Sequence, residues 1–156
     1  MTAGRKGFTL TELVVTLLVV AVGVGLFSSV FVNNWSAYED RIRRANLWSE
    51  ANQCFEQMSV EGRNARMIDV TVTAAAKSAA FTNAADNSVT TFTITDTGIL
   101  TSTKGAAVKT FSTHAVFANS NFTKNGKDLI VDLQLKESVF SRDIHINAST
   151  EVLPRN

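Results

Sequence analysis

One carboxylate in this chain stands where a charge is costly. Glu12 heads a run from Leu13 to Tyr38, 26 consecutive positions without a charged side chain. A carboxylate carried to the middle of a hydrocarbon layer costs about 2.5–3.5 kcal/mol on insertion scales, and less near the interface. Glu12 is therefore either solvated at headgroup depth or placed to meet a cation. The remaining reactive groups are few. Cys54 is the one cysteine, which excludes an internal disulfide and a Cys-rich metal cluster. His114 and His145 are the two histidines, and no nucleophile motif lies beside either. There is no P-loop, no G-x-S-x-G and no H-E-x-x-H. Asp86-Asn87-Ser88 and the pair Asp128 and Asp132 offer oxygens of the kind calcium takes, but at the spacing of no known loop, so turn and strand-surface roles are expected. No catalytic residue, metal site or cofactor is expected. A formal net charge of +1 leaves no strong electrostatic footprint for nucleic acid.

The element that positions Glu12 is the apolar run itself. Leu13 to Val32 reads LVVTLLVVAVGVGLFSSVFV. Twenty helical residues span about 30 Å, the thickness of a bilayer core. The run is apolar on every side, unlike a surface helix. The 124 residues beyond Val32 are too few to enclose such a rod. A membrane span is expected, with Leu13, Val14, Leu17, Leu18, Val22, Leu26 and Phe27 against lipid. It is too long for the apolar region of a removable signal, and Ser28 and Ser29 near its end with Asn34 and Trp35 beyond it form no small-x-small cut site. Arg5 and Lys6 precede it and Arg41, Arg43 and Arg44 follow, so charge alone does not orient it.

The residues before the run read Arg5-Lys6-Gly7-Phe8-Thr9-Leu10-Thr11-Glu12. This segment resembles the start of the type IV prepilin family, the pilins and pseudopilins. The likeness is close over roughly residues 1–32 and only architectural beyond. In that family a short basic leader ends in Gly, a prepilin peptidase cuts after it, the new N-terminus is methylated, and the fifth mature residue is nearly always Glu. The resemblance implies a leader at 1–7, cleavage between Gly7 and Phe8, N-methylation of Phe8, and pairing of Glu12 with an N-terminal amine during assembly. The physics agrees. An amine freed on Phe8 would lie one helical turn from Glu12, and a helix N-terminus favours a nearby carboxylate by about 0.3–1 kcal/mol. In a packed bundle Glu12 could reach a neighbour's amine instead. An ion pair in low dielectric penalises a missing partner heavily, which suits a register key between subunits.

The sequence departs from many pilins in two ways. Its only proline is Pro154, so no proline kinks the span. Gly23 and Gly25 either loosen the helix there, at about 1 kcal/mol each relative to Ala, or allow close helix packing. A single cysteine cannot close a C-terminal loop.

Past the span, Trp35, Tyr38, Ile42, Ala45, Trp48, Ala51, Phe55 and Met58 recur at spacings of three and four, a helical stripe expected to be core. Trp35 and Tyr38 also suit a membrane interface. Arg41, Arg43 and Arg44 form a solvated face or meet lipid headgroups or an acidic neighbour. Cys54 beside the stripe is expected to be a buried thiol. Gly62 is a natural stop, with Met67 as the far limit of the helix. A helix from about Phe8 to Glu61 would be some 80 Å long.

Residues 71–125 are rich in Thr, Ser, Ala and Asn. Thr90–Thr95 alternates as a half-buried strand through Phe92 and Ile94. Asp96-Thr97-Gly98 is a turn leading to Ile99 and Leu100. Val108–Phe117 is strand-like, Asn125-Gly126-Lys127 is a turn, and Leu129, Val131, Leu133 and Leu135 share one face of a strand. Asp143–Ala148 is a last strand. Residues 71–89 read as a short helix or a loop.

The expected fold is α+β and pilin-like: a long N-terminal helix, half membrane anchor and half amphipathic, packed on an antiparallel sheet of four or five strands. The expected division is 1–7 leader, 8–34 membrane and assembly helix, 35–67 amphipathic spine and 68–156 β-rich extracytoplasmic domain. The resemblance implies a non-enzymatic minor pilin or pseudopilin of type II secretion or pilus biogenesis. Its layout is somewhat like the J-type minor pseudopilin. The implied setting is the bacterial inner membrane, single-pass, and then a filament. Implied partners are other pilin or pseudopilin subunits, the prepilin peptidase and membrane lipid. The competing expectation is an uncleaved, single-pass anchored extracytoplasmic binding domain.

Overall fold

The computed structural model describes residues 9–126, 128–139 and 142–154. The chain divides into two compact units at Arg41/Ile42. One helix, α1 (Leu10–Asn64), supplies all the regular structure of the first unit and opens the second.

In the first unit α1 is uninterrupted and its apolar side chains are exposed throughout. Gly23 and Gly25 do not break it, and a Cβ at either would meet open space. Its hydroxyls bond back into the helix: Thr16 Oγ1 donates to the Glu12 carbonyl at 2.7 Å and Ser29 Oγ to the Leu26 carbonyl at 2.9 Å. Such bonds satisfy polar groups that lipid could not.

The second unit is an α+β domain. After α1 come β1 (Ala65–Thr73), β2 (Ser78–Asn83), β3 (Val89–Ile94), β4 (Leu100–Lys104) and β5 (Ala107–Ser112), paired in that order as one antiparallel sheet. A 3-10 turn at Phe117–Asn119 leads to β6 (Asn121–Asn125), β7 (Asp128–Val139) and β8 (Arg142–Val152), a second antiparallel sheet in order β6-β7-β8. The single sheet expected from sequence is thus two, with eight strands among the described residues.

Several local readings hold. Phe92 and Ile94 point inward from β3, and Leu129, Val131, Leu133 and Leu135 do so from β7. Gly98 turns with φ +83°, and its amide donates to the Thr95 carbonyl at 3.0 Å. Asn125 pairs directly with Asp128 across the Asn-Gly turn. Other readings are corrected. The stretch 71–89 is neither helix nor loop but the end of β1, all of β2 and two turns. Its alanines misled, because Ala favours helices in isolation while Ala79 and Phe81 here alternate into the core. The strand-like stretch Val108–Phe117 ends as a strand at Ser112 and continues only as an isolated bridge from Ala115 to Leu135. The helix stops at Asn64, short of Met67, where β1 begins and the Ala84 amide takes the Asn64 carbonyl at 3.0 Å.

The helical stripe also lies elsewhere. The residues of α1 in the core are Leu47, Ala51, Cys54 and Met58, spaced four, three and four. Ala51 and Met58 were expected, Cys54 is the buried thiol expected beside the stripe, and Phe55 packs at the margin. Trp35, Tyr38 and Trp48 are 55%, 58% and 44% exposed, so these aromatics are not core. Ile42 and Ala45 are exposed too. Periodicity found a helix, but the sheets cover only the face that Leu47 begins. Gly62 does not end the helix. It is buried against β8, and a Cβ there would come within 2.4 Å of Val152 Cγ1.

Candidate assembly signal and membrane segment

The signal begins with the first turn of α1. Thr9 is the N-cap. Its Oγ1 accepts the Glu12 amide at 3.3 Å, and Glu12 Oε2 accepts the Thr9 amide at 3.0 Å. Thr9 Oγ1 also donates to Glu12 Oε2 at 3.0 Å. This reciprocal pair is a capping box, Thr-x-x-Glu, which satisfies two of the helix's orphan amides. The Thr-x-x-Glu signature is present in the sequence itself, beside the readings of Glu12 as a solvated residue or as the partner of a cation. Glu12 thus has a local task that precedes any partner. Gly7 and Phe8, the expected cleavage and methylation positions, lie outside the described residues.

Behind Glu12 the apolar helix presents Leu13, Val14, Leu17, Leu18, Val22, Leu26 and Phe27, all exposed. α1 is long and apolar enough to cross a membrane. The run closes on aromatics. The Phe31 and Trp35 rings stack with centroids 6.2 Å apart, and Tyr38 lies 6.3 Å from Trp35. Trp35 Nε1 donates to Glu39 Oε1 at 3.1 Å.

The second unit holds the other groups singled out. Cys54 is fully buried, and burial pushes its thiol up to about 12. Of the arginine cluster, Arg43 is ion-paired with Glu137, and Arg44 donates to the His145 carbonyl at 3.3 Å. The acidic neighbour is therefore on the same chain. His114 Nδ1 stands 3.2 Å from Glu50 Oε2 at the side of an open cleft of about 510 Å³, lined also by Asp96, Phe117 and Lys136. Ser138, on the same cleft, donates to Asp143 at 2.6 Å. Asp86 accepts from the amide and hydroxyl of Ser88 at 2.9 and 2.7 Å, the contacts of a turn. Asp132 accepts from Ser149 at 2.6 Å. Among the described residues no group of three His, Cys, Asp or Glu side chains is placed to share a metal ion.

Comparison with known proteins places the N-terminal segment. Residues 2–28 match a family model described as the prokaryotic N-terminal methylation motif. No curated protein and no solved structure matches the chain. The chain carries a type IV prepilin-like signal, and that signal with the long apolar helix fits a membrane-anchored, single-pass protein.

Proposed function

We propose that this chain is the precursor of a non-catalytic subunit of a type IV filament system. It is cut after Gly7, methylated on the Phe8 amine, and assembled through α1 with the β-rich domain outside the cytoplasm. The observation that carries the reading is the methylation motif over residues 2–28, which ends inside the exposed apolar helix. The lack of a proline in the span and of a second cysteine favours a minor pilin or pseudopilin. Its partners are then other such subunits and the prepilin peptidase, and secretion or pilus biogenesis is the setting.

Glu12 carries two roles in this reading. In the precursor its carboxylate closes the capping box with Thr9. Once an amine is freed on Phe8, the same carboxylate becomes the partner of a cation, its own or a neighbour's. A buried charge deprived of its partner costs about 3–5 kcal/mol, so a misaligned subunit is rejected.

The deciding experiment is intact mass and N-terminal sequencing of the protein from native membranes. A chain beginning at Phe8 with one added methyl is the expected result. A chain still beginning at Met1, in cells with active prepilin peptidase, overturns the reading and leaves an anchored binding domain. Two variants then separate the roles of Glu12. Glu12→Gln keeps a capping acceptor and removes the charge, so it is expected to insert normally and fail to assemble. Glu12→Ala loses both. If Glu12→Gln assembles like the parent, capping is the whole role.

A further inference from the structure

The end of the apolar run has a chemistry that the filament reading does not use. Phe31, Trp35 and Tyr38 leave three aromatic rings exposed within two turns of α1. The Trp35–Glu39 hydrogen bond holds the carboxylate against the edge of the indole. Phe31, Val32, Trp35, Ser36 and Glu39 together line a notch of about 390 Å³. Aromatic faces carry the negative end of a quadrupole, and a carboxylate beside them adds a full negative charge. Such a notch attracts an ammonium group.

Its level along the helix says which ammonium. Glu39 follows Glu12 by 27 residues, so about 40 Å separate them along the axis at 1.5 Å per residue. A bilayer with its headgroup layers is about 40–45 Å thick. With Glu12 at one headgroup layer, the notch falls in the other, the depth that Trp and Tyr prefer. Glu39, Asp40 and Arg41 are the first charged residues past the span. The notch is made by a single helix and needs no second chain to complete it.

We propose that the notch formed by Phe31, Trp35 and Glu39 holds the ammonium of an aminophospholipid headgroup, of the phosphatidylethanolamine class, before the subunit assembles. The proposal rests on the reading of Leu13–Val32 as a membrane span. The lipid fixes the depth at which α1 leaves the bilayer. It must be released if the helix is drawn into a filament.

The test uses the full chain with Trp48→Phe, which leaves Trp35 as the sole tryptophan, in nanodiscs of mixed phosphatidylethanolamine and phosphatidylglycerol. Carbonate extraction is read first, and loss of the chain from the membrane fraction overturns the span reading and this proposal with it. If the chain is integral, native mass spectrometry reads the lipids it retains. An exposed cation–aromatic contact predicts about a two- to fivefold preference for phosphatidylethanolamine over phosphatidylglycerol. Glu39→Gln is expected to abolish the preference, and Trp35→Phe, which keeps a ring but not the N–H, to weaken it. Trp35 emission is expected to be quenched most by lipids brominated near the headgroup. Equal retention of both lipids, or a preference unchanged in Glu39→Gln, overturns the proposal while the span reading stands. A Trp35 signal that follows protein concentration and not lipid composition assigns the notch to a neighbouring subunit, which also overturns it.

Discussion

Residues 10–41 and residues 42–154 carry similar apolar side chains, and only the second set is shielded by the chain itself. Phe27 and Phe92 make the contrast concrete. Phe92 is fully buried, edge-to-face with Phe81 at 5.6 Å and stacked with Phe111 at 6.1 Å. Phe27 is 72% exposed on the stretch of α1 before Ile42, which places no residue in the core. Apolar surface on that scale marks a place for a membrane or another chain, and the methylation motif there fits a membrane anchor. One unit covers its apolar side chains by its own packing, and the other leaves them to whatever surrounds it.

Substitution at matched residues would sharpen or break that contrast. Phe92→Ala is expected to cost about 3–5 kcal/mol in urea unfolding of the β-rich unit, measured on the full chain in detergent. Phe27→Ala is expected to change the same transition by less than about 0.5 kcal/mol. Equal effects would mean that the span takes part in the domain's core.

Thiol chemistry gives a second measure. With its pKa pushed from 9.0 to about 12, Cys54 holds roughly a thousandfold less thiolate than a free thiol near neutral pH. It is expected to ignore an aromatic disulfide reagent in the native state and to react once urea unfolds the domain. Prompt reaction without denaturant would show that the helix is poorly seated on the sheets.

The glycines provide a third test. Gly62→Ala places a methyl on Val152 and is expected to destabilise the domain by about 1–3 kcal/mol. Gly23→Ala meets open space and is expected to leave the domain's midpoint unmoved while firming the helix by up to about 1 kcal/mol.

The smallest effects are surface carboxylates with opposite signs. Hydrogen bonds from the Ser88 amide and hydroxyl hold Asp86 below its ordinary 3.8, and the Lys136 ammonium with the Ser138 hydroxyl does the same for Asp143. Their stabilisation is present above that value and lost as pH falls through the lowered pKa. Glu151 shares a hydrogen bond with Asp128 and is raised above 4.5, so its contribution is present below that value and lost as pH rises through the raised pKa. Glu151→Gln is therefore expected to raise Tm slightly at neutral pH and not at about pH 3. Asp86→Asn is expected to lower it slightly at neutral pH, with the difference vanishing in strong acid. A Glu151→Gln variant less stable at neutral pH would refute the carboxylate contact.

Much of this was legible in the sequence, and the misses share a cause. The apolar run, the long helix, β3, the Asn-Gly turn and the inward face of β7 were all readable because each is a local pattern of period or turn chemistry. The Thr9–Glu12 capping box is equally local, a Thr-x-x-Glu spacing. What failed depended on partners distant in sequence. Trp48 and Ile42 have helical spacing but no sheet over them, whereas Leu47, one residue before Trp48, is in the core. Ala79 became part of a strand because β1 and β3 flank it. Gly62 is a contact with Val152, 90 residues later. By itself the sequence determined that residues 13–32 are apolar on all sides and that a methylation motif over residues 2–28 runs into them, because composition and short spacing need no fold to be read. Only the tertiary structure decided which helix face is core, where strands replace helix propensity, and that the β-rich unit has two sheets. Those outcomes depend on packing between residues far apart in the chain, which local preference does not encode.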